Sequence, residues 1–313
     1  MTNVLIAEEL QGLLPDDPVP GRVVQWIPSR EPTPTGDYVG IVPLLSRKFG
    51  DADFTSLPML KVLANCAVGF DNIDLAAAGR HGVIVTNTPD VLTESTADLT
   101  WTLILAAARR IKEAQALVVD GKWRGWDPRQ LLGLELRGAT LGLIGAGRIG
   151  QAVARRAVGF GMGVLYTDPQ PRPALEQESG ARRVGVEELL AASDVVSLHV
   201  PSSPETRGMV NADWLARLRP GAILVNTARG DIVDEAALIA ALERGHLWAA
   251  GLDVYANEPR VPTALVEHPR AVTLPHIGSA TTVTRRAMAA LAVRNVQEVL
   301  AGRAPVTPVP LPR

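Results

Sequence analysis

The chain of 313 residues contains a single cysteine, Cys66, which excludes a fold held by intrachain disulfide bonds. Its formal net charge is only −2 at pH 7, so it lacks the strong field that attracts nucleic acid or an anionic membrane surface. We therefore expect neither nucleic acid nor a membrane as a partner. The lone thiol agrees with a reduced, cytoplasmic location.

Long hydrophobic runs are also missing. The amino terminus, MTNVLIAEELQGLLPDD, has no basic start, and acids follow its short apolar run at once, which predicts a strand and not a signal peptide. No stretch approaches the roughly 18 apolar residues of a membrane span. The most apolar segment, LTWTLILAAARRI, includes two threonines and two arginines, so we predict a buried helix there. No metal site is predicted.

Short apolar runs alternate with helical patterns along the chain, whose length predicts two domains. In the first hundred residues, buried parallel strands are predicted at NVLIA, RVVQW, YVGIV, LKVLAN and GVIVTN. One long helical stretch follows, TESTADLTWTLILAAARRIKEAQALVVDGKW. After residue 140 strands and helices alternate again, which predicts a doubly wound parallel sheet. The tail, RAPVTPVPLPR, is predicted to be extended.

Residues 140–150, TLGLIGAGRIG, predict a dinucleotide-binding loop. An apolar strand precedes the glycines and a helix follows them, which is the context that this motif requires. Gly145 allows a tight turn, Gly147 lets the backbone approach a pyrophosphate, and Gly150 lets the helix pack against the strand. The helix N-terminus presents free N–H groups to phosphates.

The next predicted strand ends in VLYTDP, which places Asp168 after the glycines. An acid there accepts hydrogen bonds from the adenosine ribose and repels a 2′-phosphate, so we predict NAD as the cofactor and disfavour NADP. Arg172 is close enough in sequence to weaken that preference. The alternative is a glycine turn that only packs a helix on a sheet, with Asp168 as a solvated acid.

Three later segments each place an ionisable residue near the end of a predicted strand, where the ligand crevice of an open α/β sheet lies. In AILVNTARGDIVDE, Arg229 offers a bidentate donor to a carboxylate or carbonyl. In VTLPHIGSAT, His276 is the natural general acid for a carbonyl oxygen whose carbon receives hydride. In GLDVYANEP, Glu258 can stabilise an imidazolium. Each fits an ordinary structural residue when taken alone, but together they predict one hydride-transfer site.

These segments closely resemble the D-isomer-specific 2-hydroxyacid dehydrogenases, over nearly the whole chain. The matching blocks are LGLIGAGRIGQAVARRAVGFGM, NTARGDIVDEAALIAAL, AAGLDVYANEP and LPHIGSAT. The resemblance implies a catalytic triad of Arg229, Glu258 and His276, with Asp253 beside the nicotinamide carboxamide. The full set of cofactor contacts that it implies is Thr96, Gly145, Gly147, Arg148, Ile149, Gly150, Asp168, Val200, Thr227, Ala228, Arg229, Asp253, His276 and Gly278.

The resemblance also implies the fold. We expect two doubly wound parallel-sheet domains, with a Rossmann NAD-binding domain at 97–282 inserted into a flavodoxin-like substrate domain at 1–96 and 283–313. The segment NCAVGFDNID would be the substrate loop, with backbone N–H groups of Val68 and Gly69 on the substrate carboxylate, because Gly69 permits close approach and adjacent N–H groups form an anion nest. A plain strand-to-helix turn is the alternative. Arg229 and His276 would also contact the substrate.

Within the family, the segments AVGFDNID and GKWRGWDP look most like those of glyoxylate and hydroxypyruvate reductases. In those enzymes a tryptophan of this loop reaches the neighbouring subunit's active site, which implies a homodimer and a substrate contact for Trp126. The departure is YTDPQP, where NADP-using members carry a small residue followed by basic ones.

We therefore expect an NAD-dependent oxidoreductase that interconverts a small 2-oxo acid and its D-2-hydroxy acid. One alternative is a phosphoglycerate or sugar-acid dehydrogenase of the same family. Basic residues in the substrate loop would favour a phosphate, but NCAVGFDNID contains none. The other alternative is a non-catalytic, NAD-sensing binding protein, against which the complete triad argues.

Overall fold

The computed structural model describes residues 3–312, and these form two compact units, each built on its own sheet. The first unit comprises the chain up to Leu92 together with the residues from Ser279 onward. The second unit is Thr93–Gly278, so its sequence interrupts that of the first.

Strands and helices alternate through both units. The strands are β1 Asn3–Ala7, β2 Val23–Ile27, β3 Tyr38–Val42, β4 Val62–Ala64, β5 Ile84–Thr86, β6 Thr140–Ile144, β7 Gly163–Thr167, β8 Arg182–Arg183, β9 Val195–Leu198, β10 Ala222–Asn226, β11 Leu247–Leu252 and β12 Ala271–Thr273. The helices are α1 Asp51–Thr55, α2 Leu75–Arg80, α3 Thr93–Ala108, α4 Ile111–Val119, α5 Arg148–Gly159, α6 Pro173–Ser179, α7 Val186–Ala192, α8 Ala212–Ala216, α9 Glu235–Glu243, α10 Thr263–Glu267 and α11 Thr282–Leu300.

The first unit is a parallel sheet with the strand order β2-β1-β3-β4-β5, the flavodoxin-like order. Strand β3 is buried along its whole length, as expected for a parallel strand covered on both faces. Gly40 in β3 lets α11 pack closely, because a Cβ added there would lie 2.9 Å from Cγ1 of Val296. The expected fold of this unit is confirmed.

The Pro-rich tail is extended, as predicted, and it lies along the edge of the first sheet. Pro308 forms an antiparallel bridge with Thr86, and the Val309 N–H donates to the Val85 carbonyl at 2.9 Å. The tail thereby pairs with part of β5, whose backbone groups would otherwise be an open edge.

The second unit is a parallel sheet with the order β12-β11-β10-β9-β6-β7-β8. The chain winds outward from β6 in both directions, so the strand order reverses between β6 and β9, where ligands bind in folds of this type. All the strand pairs are parallel, which confirms the predicted doubly wound sheet.

The single long helix predicted after Thr93 is wrong in one respect, because the structure has two helices there. Arg110 takes a left-handed conformation, with φ +56°, between α3 and α4. Such a residue interrupts the helical hydrogen-bond ladder and turns the chain. No glycine or proline marks this break. Half of the α3 residues are buried, whereas α4 has no buried residue.

Short elements escaped prediction as well. The sequence patterns did not identify α1, α6, α10 and β8, none of which exceeds seven residues. Within residues 3–312, no helix is long and apolar enough to cross a bilayer. The same part of the chain holds no group of three or more His, Cys, Asp or Glu side chains placed to share a metal ion.

Candidate active site

The glycine loop joins β6 to α5, and each of its glycines meets a different constraint. Gly145 has φ +96°, and a Cβ there would lie 2.6 Å from the His199 carbonyl oxygen. A Cβ on Gly150 would lie 2.3 Å from the Gly145 carbonyl oxygen, so a side chain would push α5 away from the strand. A Cβ on Gly147 would meet no atom within 4 Å, so the backbone there is open to a ligand.

Asp168 follows β7 beside this loop. Its Oδ2 accepts a hydrogen bond from the Ala146 N–H at 2.9 Å. Its Oδ1 accepts from the Gln170 N–H and from Nη2 of Arg172, both at 3.0 Å. Burial raises the pKa of the Asp168 carboxyl, but these donors and the Arg172 charge bring that pKa below its ordinary value. Asp168 is therefore an ionised carboxylate that Arg172 partly neutralises.

These residues fit a dinucleotide. Arg148 and Ile149 are the first two residues of α5, and the first N–H groups of a helix have no partner within it and carry a partial positive charge. Phosphates bind at such a helix terminus, here next to the open backbone of Gly147. On the neighbouring strand, Asp168 provides an acceptor suited to a ribose hydroxyl.

Arg229 lies on the turn after β10, and its neighbours fix that turn. Asn226 is buried, its Nδ2 donates to the Arg229 carbonyl at 2.8 Å, and its Oδ1 accepts from the Ala228 N–H at 2.9 Å. A Cβ on Gly230 would lie 1.8 Å from the Tyr255 carbonyl carbon. Glycine at this position therefore lets the Arg229 turn lie against the turn at Tyr255. The sequence analysis predicted neither the Asn226 hydrogen bonds nor the Gly230 contact. Asn226 was a detectable signal, because it is a polar residue at the end of an apolar run.

His276 and Glu258 form a direct pair, with His276 Nδ1 at 2.8 Å from Glu258 Oε2. Glu258 Oε1 accepts the Tyr255 N–H at 3.0 Å. Burial raises the pKa of the Glu258 carboxyl, but the hydrogen bonds from His276 and Tyr255 hold that pKa below its ordinary value, with help from the Arg229 charge. An ionised carboxylate only accepts hydrogen bonds, so Nδ1 carries the proton. Nε2 makes no hydrogen bond within Thr93–Gly278 and is left to exchange a proton.

The His276 backbone is held in an uncommon conformation, with φ +54°. Asp253, 1% exposed, secures it: its carbonyl accepts the His276 N–H at 2.9 Å. The carboxylate accepts the next two amides, from Ile277 at 2.7 Å and Gly278 at 2.8 Å. Asp253 thus anchors the histidine turn. That it also contacts the nicotinamide carboxamide stays a prediction.

Other residues expected to contact the cofactor lie near these loops. A Cβ on Gly278 would lie 3.4 Å from Cγ2 of Thr96, and a Cβ on Gly145 would lie 2.9 Å from Cγ1 of Val200. Thr227 follows β10 directly and is buried. Ala228 is the next residue, and its N–H donates to Asn226 Oδ1. Their contacts with a cofactor remain predictions.

In the first unit, the loop after β4 carries Val68 and Gly69, both half-buried. Their carbonyl oxygens accept side-chain hydrogen bonds, Val68 from Asn87 Nδ2 at 2.8 Å and Gly69 from Asn65 Nδ2 at 2.9 Å. Sequence reasoning identified the loop but missed these asparagines. A polar residue ending an apolar run, Asn65, was again the available signal.

Trp126 lies in the segment after α4 and is 85% exposed, so it contacts little of its own chain. Helix α4 and the segment after it carry further exposed apolar side chains, namely Ile111, Val118, Val119, Trp123 and Leu132. An exposed apolar surface of this kind is typical of a protein interface.

Comparison with known proteins places these features in a family. Residues 101–278 match the family described as D-isomer specific 2-hydroxyacid dehydrogenase, NAD binding domain. The glyoxylate reductase of Thermococcus kodakarensis is 47% identical over 275 residues, which cover 87% of this chain and 83% of that protein.

Two solved structures are similar over both units. The NADPH-dependent glyoxylate/hydroxypyruvate reductase of Sinorhizobium meliloti superposes with a TM-score of 0.87 at 36% identity and covers 100% of each chain. The D-lactate dehydrogenase of Aquifex aeolicus, complexed with NAD and lactic acid, superposes with a TM-score of 0.83 at 30% identity and covers 96% of each chain. One of these proteins is NADPH-dependent and the other holds NAD, so the likeness does not choose between the two coenzymes.

Proposed function

Because this chain belongs to the D-isomer-specific 2-hydroxyacid dehydrogenases, we propose that it reduces glyoxylate and hydroxypyruvate to the corresponding 2-hydroxy acids. The chain is an oxidoreductase with a dinucleotide-binding unit. The observation that carries the proposal is the His276–Glu258 pair at 2.8 Å, with the Arg229 charge close enough to lower the pKa of Glu258. The glyoxylate reductase of Thermococcus kodakarensis, at 47% identity, supports the choice of substrate.

Each of the three side chains has a different role in the proposed reaction. When bound, the nicotinamide supplies the hydride that reduces the carbonyl carbon. His276 donates its Nε2 proton to the carbonyl oxygen, because Glu258 holds Nδ1. The Glu258 carboxylate stabilises the imidazolium before the transfer and fixes the ring. Arg229 donates hydrogen bonds that orient the substrate. In the direction of oxidation, the same Nε2 accepts the proton.

The coenzyme that we propose is NAD(H) in preference to NADP(H). A 2′-phosphate on the ribose would meet the ionised Asp168 carboxylate and be repelled. The pair between Asp168 and Arg172 at 3.0 Å reduces this repulsion. We therefore expect a preference for NAD(H) and not an absolute exclusion of NADP(H).

We also propose that the chain forms a homodimer through the segment 111–132. Its exposed apolar residues include Trp126 at 85% and Val119 at 76% exposure, and a second copy would remove them from water. In this arrangement Trp126 contacts the substrate that the partner subunit binds. Sedimentation of the wild type and of Trp126→Ala tests the proposal, and a wild-type monomer at assay concentrations would contradict it.

Steady-state kinetics on a substrate panel tests the function itself. The panel is glyoxylate, hydroxypyruvate, pyruvate and 2-ketogluconate, each with NADH and with NADPH. We expect the highest kcat/KM for glyoxylate or hydroxypyruvate with NADH. A chain that bound NADH but reduced none of these acids would contradict the proposal and would favour a binding protein.

A further inference from the structure

The loop at residues 65–72 of the first unit has three consecutive peptide carbonyls whose oxygens are all taken by hydrogen bonds. Two of the donors are side-chain amides and the third is a backbone amide. The three bonds are Thr88 N–H to the Ala67 carbonyl at 2.8 Å, Asn87 Nδ2 to the Val68 carbonyl at 2.8 Å, and Asn65 Nδ2 to the Gly69 carbonyl at 2.9 Å.

A trans peptide is planar, so each N–H points away from the carbonyl of the residue before it. Pinning these three carbonyls therefore turns the N–H groups of Val68, Gly69 and Phe70 in the opposite directions. None of the three donates a hydrogen bond within the described residues of the first unit. The loop thus offers three successive free N–H groups, which is the composition of an anion-binding nest.

Asn65 and Asn72 lock the base of the loop. Asn65 Nδ2 also donates to Asn72 Oδ1 at 3.1 Å, and Asn72 Nδ2 donates to Asn65 Oδ1 at 3.3 Å and to the Arg47 carbonyl at 2.8 Å. Every amide hydrogen of the two side chains is therefore used. Both residues are buried, at 0% and 9% exposure, and buried amides are costly to leave unbonded. The pair consequently has one satisfied arrangement, and it is the one that pins Gly69.

We propose that Asn65, Asn72 and Asn87 are positioning residues that hold these N–H groups in place for the carboxylate of the 2-oxo acid. The inference rests on the proposed function and deepens it, since it assigns the residues that make the substrate loop a carboxylate site. Three N–H donors in a row suit a carboxylate, which accepts through two oxygens. The asparagines do not touch the substrate.

A matched pair of variants tests the proposal, Asn87→Ala against Gln297→Ala. Gln297 is also half-buried in the first unit, and its Nε2 donates one hydrogen bond to a backbone carbonyl, that of Pro18 at 2.7 Å. Both substitutions remove one such amide, but only Asn87 holds the loop. Hydrogen bonds to a charged group set the scale, so Asn87→Ala should raise the KM for glyoxylate about 10- to 100-fold. The KM for NADH should stay within about twofold, as should both constants in Gln297→Ala.

Binding of oxalate, a dicarboxylate that is not reduced, gives a readout that needs no turnover. Calorimetry on the enzyme–NADH complex should show a similar 10- to 100-fold weakening for Asn87→Ala and none for Gln297→Ala. Asn65→Ala should weaken oxalate in the same way, and the double variant should lose less than the product of the two effects because both act on one loop. If Asn65→Ala does not fold, the Asn87 pair decides alone.

The outcomes separate this inference from the proposed function. A wild type that binds oxalate but reduces no 2-oxo acid contradicts the function, and a weaker oxalate affinity in Asn87→Ala would still support the positioning role. An Asn87→Ala variant whose oxalate affinity equals that of Gln297→Ala overturns the positioning role, as does a wild type that binds no oxalate. An equal loss of NADH and oxalate affinity would indicate a general structural defect and overturn it too.

Discussion

Each unit has a loop after a parallel strand that is suited to an anion, but the two loops are built differently. In the second unit, glycines allow the turn at Gly145 and the close approach of α5 at Gly150, and the helix supplies the N–H groups. In the first unit, the side chains of buried Asn65 and half-buried Asn87 bond the carbonyls of an ordinary loop and turn its N–H groups the other way. The glycine loop is recognisable in the sequence as a short motif. The loop held by asparagines is not, because it depends on residues up to 22 positions apart, Asn65 and Asn87.

The units also differ in what they contribute. On our proposal, the second unit holds the proton donor, its carboxylate partner and the dinucleotide loop, whereas the first unit binds only the substrate's carboxylate. Variants of the second unit should therefore alter kcat or coenzyme use, and variants of the first should alter the substrate KM. Each of the following substitutions lies in the second unit and tests this difference between the two units.

The largest effect is expected for His276→Ala. Removing a general acid lowers the rate about 10²- to 10⁴-fold. The affinity for NADH should be almost unchanged, because the glycine loop is intact. Stopped-flow reduction of glyoxylate and fluorescence titration of NADH measure the two quantities. Full activity in this variant would show that another group donates the proton.

Gly230→Ala should come next, and it acts through packing. The added methyl carbon would lie 1.8 Å from the Tyr255 carbonyl carbon, so the turns that carry Arg229 and Tyr255 must move apart. Overpacking of this kind costs about 1–3 kcal/mol of stability. The free energy of unfolding, measured with denaturant, and kcat should both fall. Gly185→Ala is the control, because a Cβ there meets nothing within 4 Å. A Gly230→Ala variant as stable as that control would contradict the close packing of the two turns.

Asp168→Ser should change the choice of coenzyme. The variant loses the charge that repels a 2′-phosphate, while Arg172 keeps its own charge and loses its partner. We expect the ratio of kcat/KM for NADPH to that for NADH to rise about tenfold or more, since hydrogen bonds to a charged group are involved. The KM for glyoxylate should not change. An unchanged ratio would mean that Asp168 does not face the ribose.

Glu258→Gln should give the smallest effect. A glutamine keeps a side-chain oxygen near His276 Nδ1 but carries no charge, so the hydrogen bond that fixes the ring is weaker. We expect kcat for glyoxylate to fall about tenfold in steady-state kinetics, while the KM for NADH stays within about twofold. An unchanged kcat would show that the Glu258 charge does not assist the reaction.

The same variant predicts a difference in acid stability. The pKa of folded Glu258 lies below its ordinary value of 4.5, so the ionised form stabilises the fold above that pH. This contribution is lost as the pH falls through the folded value. As the pH falls below 4.5, the Tm of the wild type should therefore decrease more than that of Glu258→Gln, measured by thermal unfolding.

Most of the fold could be predicted from short-range patterns. The principal strands are continuous apolar runs, and helices such as α7 and α9 have the expected periodicity, so local sequence was sufficient. The break between α3 and α4 could not be predicted, because Arg110 adopts a left-handed conformation that its type disfavours. The short helices α1, α6 and α10 were also missed, since each contains less than two helical turns.

The chemistry of the candidate site was readable for a related reason. Arg229, Glu258 and His276 each follow a strand closely, and the parallel sheet brings the carboxyl ends of its strands to one edge. Strand order therefore converts positions far apart in sequence into neighbours. The residues that support them could not be predicted, because Asn226 bonds the backbone of its own turn, and Gly230 and Asp253 contact the backbone of other turns.

The sequence by itself determined the α/β class, the dinucleotide loop and the three residues of the proposed triad, because each depends on residue types within a short window. Only the tertiary structure decided which amides and carbonyls are free. It showed that Nδ1 of His276 is hydrogen-bonded to Glu258, that the Asp253 carboxylate holds the histidine turn, and that asparagine side chains bond the carbonyls of the loop at residues 65–72. These facts are set by hydrogen bonds between distant segments, and the direction of a peptide group appears only when its partner is in place.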